Sequence, residues 1–326
     1  MTPHDPYPVR LSALCLLLSL LLLACSGDDD DTDSEDGDDA TPEATPTAAG
    51  DDAPGIIFDS DESGNEDVWI IQPDGSGLTQ LTDDPGRDYE PRWSPDYQLI
   101  AFVSDRDGDS AGQIYVMNPD GSEQRRVTES EFTDDYPNWS PDGSLLTFQR
   151  STVDAGQRAS DIWTVDIESG EEVQLTTDPA WDSTPSYSND GETVVFESDR
   201  SGNFEIWMMD PDGANPRQIT SLGLAASAAR YSPDGTQLAF NVRDNGRADI
   251  YLMDADGANP RLLLDTPNLD EHCPAWSPDG AMLVFHVGGG AQERSDLAIA
   301  PVDGSGSERL TRTPDIGEAT PDWSGS

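Results

Sequence analysis

Five carboxylates recur at one offset along the chain. Counting back five residues from a repeated aromatic, one meets Asp88, Asp134, Asp182, Glu271 and Glu318, with Ala226 in the sixth equivalent position. If the repeat winds around one axis, these acids form a ring at a channel mouth. Like charges gathered there raise one another's pKa unless a cation or a basic group sits among them. The chemistry of such a ring is binding: a metal ion, with calcium suited to carboxylate oxygens, or an Arg or Lys side chain of a partner. The competing reading is local, because an Asp ahead of a strand commonly bonds the backbone of its own loop.

Other patterns carry less. Asp59–Asp67 ("DSDESGNED") and Asp105–Ser110 ("DRDGDS") resemble calcium loops, yet neither has the spacing to a bidentate Glu that an EF-hand requires, so both are expected to be hairpin turns. Gly108–Gly112 ("GDSAG") matches the nucleophile elbow G-x-S-x-G, but an elbow joins a strand to a helix, and this one lies in a hairpin loop. No catalytic role is expected for Ser110, since His272 and His286, the two histidines of the folded part, fall far from it along the repeat. Those two histidines read as neighbours on adjacent strands, and two ligands without a third make a weak metal site. Trp69, Tyr115, Trp163, Trp207 and Tyr251 would suit a sugar platform, but one per repeat marks them as packing residues. Of three cysteines, Cys15 and Cys25 precede the folded part, leaving Cys273 as a small buried apolar group without a disulfide partner.

The elements that must position these residues follow from the aromatic itself. Trp93, Trp139, Tyr187, Tyr231, Trp276 and Trp323 are spaced by 46, 48, 44, 45 and 47 residues, a period of propellers and solenoids. Each period runs through a "WSPDG" turn, an apolar strand, a polar turn, a second strand such as "IYVM" or "IWMM", a "DPDG" turn and a short strand. With the strand that carries the aromatic, this makes four short strands and no amphipathic helix, the composition of a four-stranded antiparallel blade. Pro presets φ and Gly supplies positive φ, so Pro-Asp-Gly reverses the chain tightly. Gly55 to Thr82 carries the second, third and fourth strands of a blade, and the terminal "ATPDWSGS" is the missing first strand. The fold expected is an all-β, six-bladed β-propeller over 55–326, its ring closed by the C-terminal strand completing the first blade.

Residues 1–24 read as an export signal, with Arg10 ahead of the apolar run "LSALCLLLSLLLLA", which is short for a transmembrane span. "LLAC" resembles the lipobox of bacterial lipoproteins, which implies lipidation at Cys25; a plain secretory signal and a retained anchor are the rivals. The following stretch to residue 54 is acidic and rich in Thr, Pro, Ala and Gly, and reads as a disordered, self-repelling tether. Across 326 residues, 65 acidic side chains face 17 basic ones, a formal charge of −48, and lysine does not occur. Such a field repels nucleic acid and anionic headgroups and favours a cationic partner or a saline medium, unless it reflects only genome composition and solubility.

The pattern of Asp182–Thr220, "DSTPSYSNDGETVVFESDRSGNFEIWMMDPDGANPRQIT", resembles the WD-type propeller repeat of the TolB family, and the resemblance covers Gly55 to Ser326 in six copies. It implies an extracytoplasmic, non-enzymatic scaffold that binds a protein partner, in TolB's case a peptidoglycan-associated lipoprotein. The tether stands where TolB carries a small α/β domain, so nothing done through that domain carries over. The expectation is a monomeric, lipid-anchored binding module without a required cofactor, which meets a cell-envelope lipoprotein or a basic protein at its channel mouth. The alternatives are a propeller-based glycan lyase or hydrolase, and a ligand sensor; Tyr89, Tyr136 and His272 near the strand starts are the residues that favour an enzyme.

Overall fold

The WSPDG stretch folds as its chemistry dictates. In Ser140–Leu145 the Ser140 hydroxyl donates to Asp142 Oδ1 at 2.7 Å and accepts the Leu145 N–H at 2.9 Å. Asp142 in turn accepts the Ser144 N–H at 3.0 Å, and Gly143 takes φ 71°. The same bonds recur at Ser94, Ser188, Ser232 and Ser277. In the first of these turns Tyr97 takes the glycine's place at φ 57°, its ring edge-on to Trp93 at 5.9 Å.

The structure, a computed structural model, describes residues 54–326 except 109–110, 155–156, 265, 267–268, 289–293, 314 and 324–326. Cys25, the apolar leader, the tether and Ser110 lie outside the described residues. The turns join strands into six sheets, each of four antiparallel strands, and in five of them spatial order follows chain order. In the sixth, Glu318–Asp322 pairs with Ile56–Ser60, which is followed by Asp67–Ile71 and Thr79–Gln80. That pairing closes the ring and makes it a six-bladed β-propeller; the blade containing both chain ends is blade one.

The innermost strands are Asp88–Trp93, Thr133–Trp139, Asp182–Tyr187, Ala225–Tyr231, Asp270–Trp276 and Glu318–Asp322, and each packs against the next around the axis. The outermost strands hold two or three residues each, such as Arg125–Arg126 and Glu308–Arg309. Edges that short and charged give little template for pairing with another chain.

The core lies between blades. Trp139 of blade three packs with Ala101, Ile114 and Val116 of blade two, and Trp276 of blade six with Ala239, Ile250 and Leu252 of blade five. Each indole also donates to a carbonyl of the preceding inner strand, Trp139 to Arg92 at 3.2 Å and Trp276 to Arg230 at 3.0 Å. Burying one such indole stabilises the ring by about 5 kcal/mol of transfer free energy.

One further repetition is invisible in the hydrophobic pattern. Glu90, Tyr136, Thr184, Ala228, Cys273 and Thr320, the second residue after each start acid or its equivalent, have φ between 41° and 55°. Each marks a β-bulge where the register of the inner strand shifts against the second strand. In five blades a proline follows, and it fits because it needs no N–H at a bulge and disfavours the right-handed helical region for the residue before it. No glycine relieves these six positions, so each stores about 1–2 kcal/mol of strain.

Candidate functional site

The five carboxylates singled out by their spacing are all buried, Asp88, Asp134, Asp182 and Glu271 completely and Glu318 to 3% exposure. A side chain sealed from solvent cannot line an open mouth, so the expected binding ring gives way to six inter-blade ties. Asp134 receives Arg150 Nε at 2.6 Å and Nη2 at 2.7 Å. Asp88 receives Arg106 Nη2 at 2.7 Å, and Asp182 receives Arg200 Nη2 at 2.6 Å. On their other side these acids bond Thr82, Thr128 and Thr176, which end the preceding blades. The longer Glu271 and Glu318 reach the preceding blade directly: Glu271 accepts the Ile250 N–H at 3.4 Å and the Thr266 hydroxyl, Glu318 the Leu297 N–H at 3.1 Å and the Thr311 hydroxyl. At the sixth position Ala226 keeps only the backbone tie, its N–H on the Phe204 carbonyl at 2.9 Å. Burial raises the pKa of all five acids, and the arginine or threonine hydrogen bonds pull the other way. Sealed from solvent and held one per blade, with Oδ1 of Asp88 and of Asp182 left without a hydrogen bond, these acids do not gather at a shared calcium site among the described residues.

The arginines of these ties also explain the third-strand aromatics. Arg150 lies over Phe148 at 5.2 Å and Trp163 at 4.7 Å, and Arg106 and Arg200 repeat the arrangement over Phe102 with Tyr115 and over Phe196 with Trp207. Trp69, Trp163, Trp207 and Tyr251 are half-buried against the inter-blade clusters, and Tyr115 is buried.

A second polar layer, nearer the axis, escaped the sequence reading. The residue after each core Phe is Asp59, Val103, Gln149, Glu197, Asn241 or His286, and each pairs in register with the inner strand at Ala319, Tyr89, Asp135, Ser183, Ser227 or His272. The signal was present: a polar residue directly after Phe interrupts an otherwise apolar strand in five of six repeats. Tyr89 Oη donates to Asp135 Oδ1 at 3.1 Å, the Tyr136 N–H to Glu90 Oε2 at 2.6 Å and the Glu90 N–H to Asp59 Oδ1 at 3.3 Å. Burial pushes Asp59 up to about 6 and Asp135 up to about 7, and Glu90 well above the carboxylate range with the charge of Asp135 adding to it. The layer therefore holds protons near neutral pH.

His272 and His286 do stand opposite each other on adjacent strands, as the sequence suggests. Their rings stack with centroids 5.2 Å apart, and His272 faces Asn241 Nδ2 through Nδ1 at 3.2 Å and Arg243 Nη2 through Nε2 at 3.3 Å. Burial and the Arg243 charge push His272 down to about 4, so it stays neutral. Among the described residues no three His, Cys, Asp or Glu side chains group so as to hold a metal ion. Cys273 is half-buried beside the axis, its thiol pushed up to about 12 by burial. The two acidic stretches are hairpin turns where described; Asp61 accepts the Gly317 N–H at 2.8 Å and helps close blade one.

Comparison with known proteins agrees with this geometry. The family described as the TolB beta propeller domain matches residues 43–158 and 135–326. TolB from Acinetobacter baumannii superposes with a TM-score of 0.74 at 24% identity, over 86% of this chain and 68% of that one. An oligogalacturonate lyase in complex with manganese superposes with a TM-score of 0.56 at 20% identity, over 79% of this chain and 74% of that one. Both likenesses are of fold. A protein of Bacillus subtilis described as the uncharacterized peptidase YuxL is 40% identical over 50 residues, 15% of this chain and 8% of that protein's length. With the family matching nearly the whole propeller, and six closed blades built on its repeat, the chain belongs to the TolB beta-propeller family.

Proposed function

We propose that this protein is an extracytoplasmic binding scaffold, anchored through a lipid on Cys25, that receives a protein partner on the faces and axial opening of its propeller without catalysing a reaction. The observation that carries this reading is the division of labour between the two polar layers. The start acids, held with arginine in blades two to four and with threonine and backbone N–H groups in blades six and one, repeat one structural role, whereas the axial layer differs in every blade: Asp59, Val103, Gln149, Glu197, Asn241, His286. Varied groups on a rigid, repeated frame are what recognition needs, because the frame removes the cost of ordering the contact residues on binding.

The family supports the scaffold reading, and the A. baumannii TolB supports its extracytoplasmic setting. The fold shared with the oligogalacturonate lyase keeps an enzymatic reading alive, with Tyr89 and His272 as its acid–base candidates. No helix among the described residues is long and apolar enough to cross a membrane.

The full chain, cross-linked in membranes and purified, is expected to carry a specific polypeptide that the Cys25→Ser variant, released from the membrane fraction, captures less well. Incubation with polygalacturonate is expected to yield no unsaturated uronate product. Turnover of that polymer, abolished by Tyr89→Phe, would replace the scaffold reading with the lyase one.

A further inference from the structure

Where blades two and three meet, the axial polar layer is stitched by two crossed bonds. Tyr89 Oη donates to Asp135 Oδ1 at 3.1 Å, and one residue further along each strand the Tyr136 N–H donates to Glu90 Oε2 at 2.6 Å. That N–H belongs to the peptide joining Asp135 to Tyr136, so the two acids are neighbours. Gly112 closes in on the same spot, since a Cβ there would lie 2.5 Å from Tyr89 Oη and 3.3 Å from Asp135 Oδ1. Glu90 is buried, whereas Tyr89 and Asp135 are half-buried and keep access to solvent.

The charges around this seam run to an excess of acid. Asp59 accepts the Glu90 N–H at 3.3 Å and the Thr320 hydroxyl, and Asp322 accepts the Trp93 N–H at 2.8 Å. Every one of these donors is neutral. Arg92 and Arg230, directly before the repeated aromatic in blades two and five, give their printed bonds to carbonyls: Arg92 Nη1 to Pro91 at 2.7 Å and Thr320 at 3.2 Å, Arg230 Nη1 to Pro185 at 3.4 Å. Four carboxyls, Asp59, Glu90, Asp135 and Asp322, thus face two guanidiniums, Arg230 being three blades from Arg92. The other charges nearby do not redress the balance. Arg87, over the Tyr89 ring at 5.2 Å, holds Asp105 at 2.8 Å; Arg150 holds Asp134; and Glu197 of blade four, bonded by the Ser183 hydroxyl at 2.5 Å, adds a further acid.

A neutral acceptor is also left over there. Gln149 stands opposite Asp135 in register, so the two side chains share one face of blade three with Cβ atoms about 5 Å apart. In blades four and six the equivalent pairs touch, Ser183 with Glu197, and His272 with His286 as rings stacked 5.2 Å apart. Gln149 instead turns Nε2 to Ser151 Oγ at 3.0 Å, and its Oε1, on a side chain only 3% exposed, has no partner. A buried acceptor is costly until a donor completes it. An ammonium group brings three donors, no acceptor and a compact positive charge, which answers both the unspent acceptor and the acid excess. A metal ion fits less well, because no three His, Cys, Asp or Glu side chains gather among the described residues.

We propose that the axial seam of blades two and three is a receptor for a primary ammonium group, held by the Asp135 carboxylate and Gln149 Oε1 with the charge of Glu90 behind them. The assignment stands apart from the scaffold reading, because it admits a free amine as well as the lysine side chain of a protein.

Calorimetric titration of the full chain with methylammonium chloride, in phosphate buffer at an ionic strength held constant with sodium chloride, is expected to show saturable binding at pH 8. The bound cation requires Asp135 ionised, and burial pushes that acid up to about 7, so affinity should fall about tenfold between pH 8 and pH 6. Tetramethylammonium, of equal charge but without N–H donors, should bind at least about tenfold more weakly, a comparison that needs no variant to fold. Asp135→Asn should weaken methylammonium binding about tenfold or more, whereas Asp120→Asn, which removes an acid from an exposed turn, should leave it unchanged. A lysine-containing peptide that binds, and fails to bind when its Nζ is acetylated, identifies a side chain as the source; methylammonium binding without peptide binding identifies free amines. Absence of saturable binding, equal affinity at pH 6 and pH 8, tetramethylammonium binding as tightly as methylammonium, unchanged affinity in Asp135→Asn, or an equal loss in Asp120→Asn overturns the proposal.

Discussion

Replacing Arg150 by Met strips Asp134 of the contacts at 2.6 and 2.7 Å and leaves the carboxylate fully buried. Removing one partner of a buried pair costs about 3–5 kcal/mol, because the remaining charge has no compensation. Against a total stability of about 5–15 kcal/mol that is a large fraction. At about 2–4 °C per kcal/mol for a domain of this size, the melting temperature should fall by about 6–20 °C. The opposite substitution, Asp134→Asn, should be milder, about 1–3 kcal/mol, since Arg150 keeps Glu172 at 2.7 Å and its place over Trp163. The loss in Arg150→Met should also shrink on acidification. Burial already raises the pKa of Asp134, and without the guanidinium it rises further, so the folded state of the variant gains by keeping the proton as pH falls. Urea unfolding of both single variants and the double variant, at pH 5 and pH 7.5, reads all three quantities. A loss below about 1 kcal/mol for Arg150→Met, or an Asp134→Asn variant less stable than Arg150→Met, would refute the assignment of this pair as a buried tie within blade three.

Three further outcomes test the frame and its axis. Asp59 and Asp135 have folded pKa values raised by burial to about 6 and about 7, so the stability they contribute is full below their ordinary value and is lost as pH rises through 6–7. Stability from urea unfolding should therefore be higher at pH 5 than at pH 8, by about 1.4 kcal/mol from Asp59 alone, and Asp59→Asn should flatten the slope; an equally steep slope in that variant counts against the assignment. Thr184→Gly removes a β-branched residue from φ 49° and deletes a buried hydroxyl without a partner, so it should stabilise the protein by about 1 kcal/mol in the same assay; a clear loss would mean the bulge is not strained. Deleting residues 318–326 takes away the inner strand of blade one, the Glu318 tie and the buried Trp323, and should abolish cooperative unfolding by calorimetry; a cooperative transition retained within a few degrees would show the ring does not depend on closure.

The repeat made the frame legible. Pro141, Asp142 and Gly143 act locally, through a preset φ, a turn bond or a positive φ, so the spacing of their motif alone told blade number, turn positions and the use of the C-terminal strand as a closure. The start acids were legible as a set and illegible in role. Whether Asp134 faces an opening or a neighbour depends on Arg150, its cross-strand partner in the same blade, and on Thr128 of the preceding blade, which it meets only when blades pack. Arg92 and Arg230 lie 138 residues apart, each directly before the repeated aromatic, and their place three blades apart in the ring is a property of its closure. Short-range backbone chemistry and periodicity are written along the chain, and they set strands, turns and the count of blades. Pairings such as Asp134 with Arg150 form within one hairpin, whereas the burial that shifts the pKa values of the polar layers arises from contacts between blades, and only the closed ring decides it.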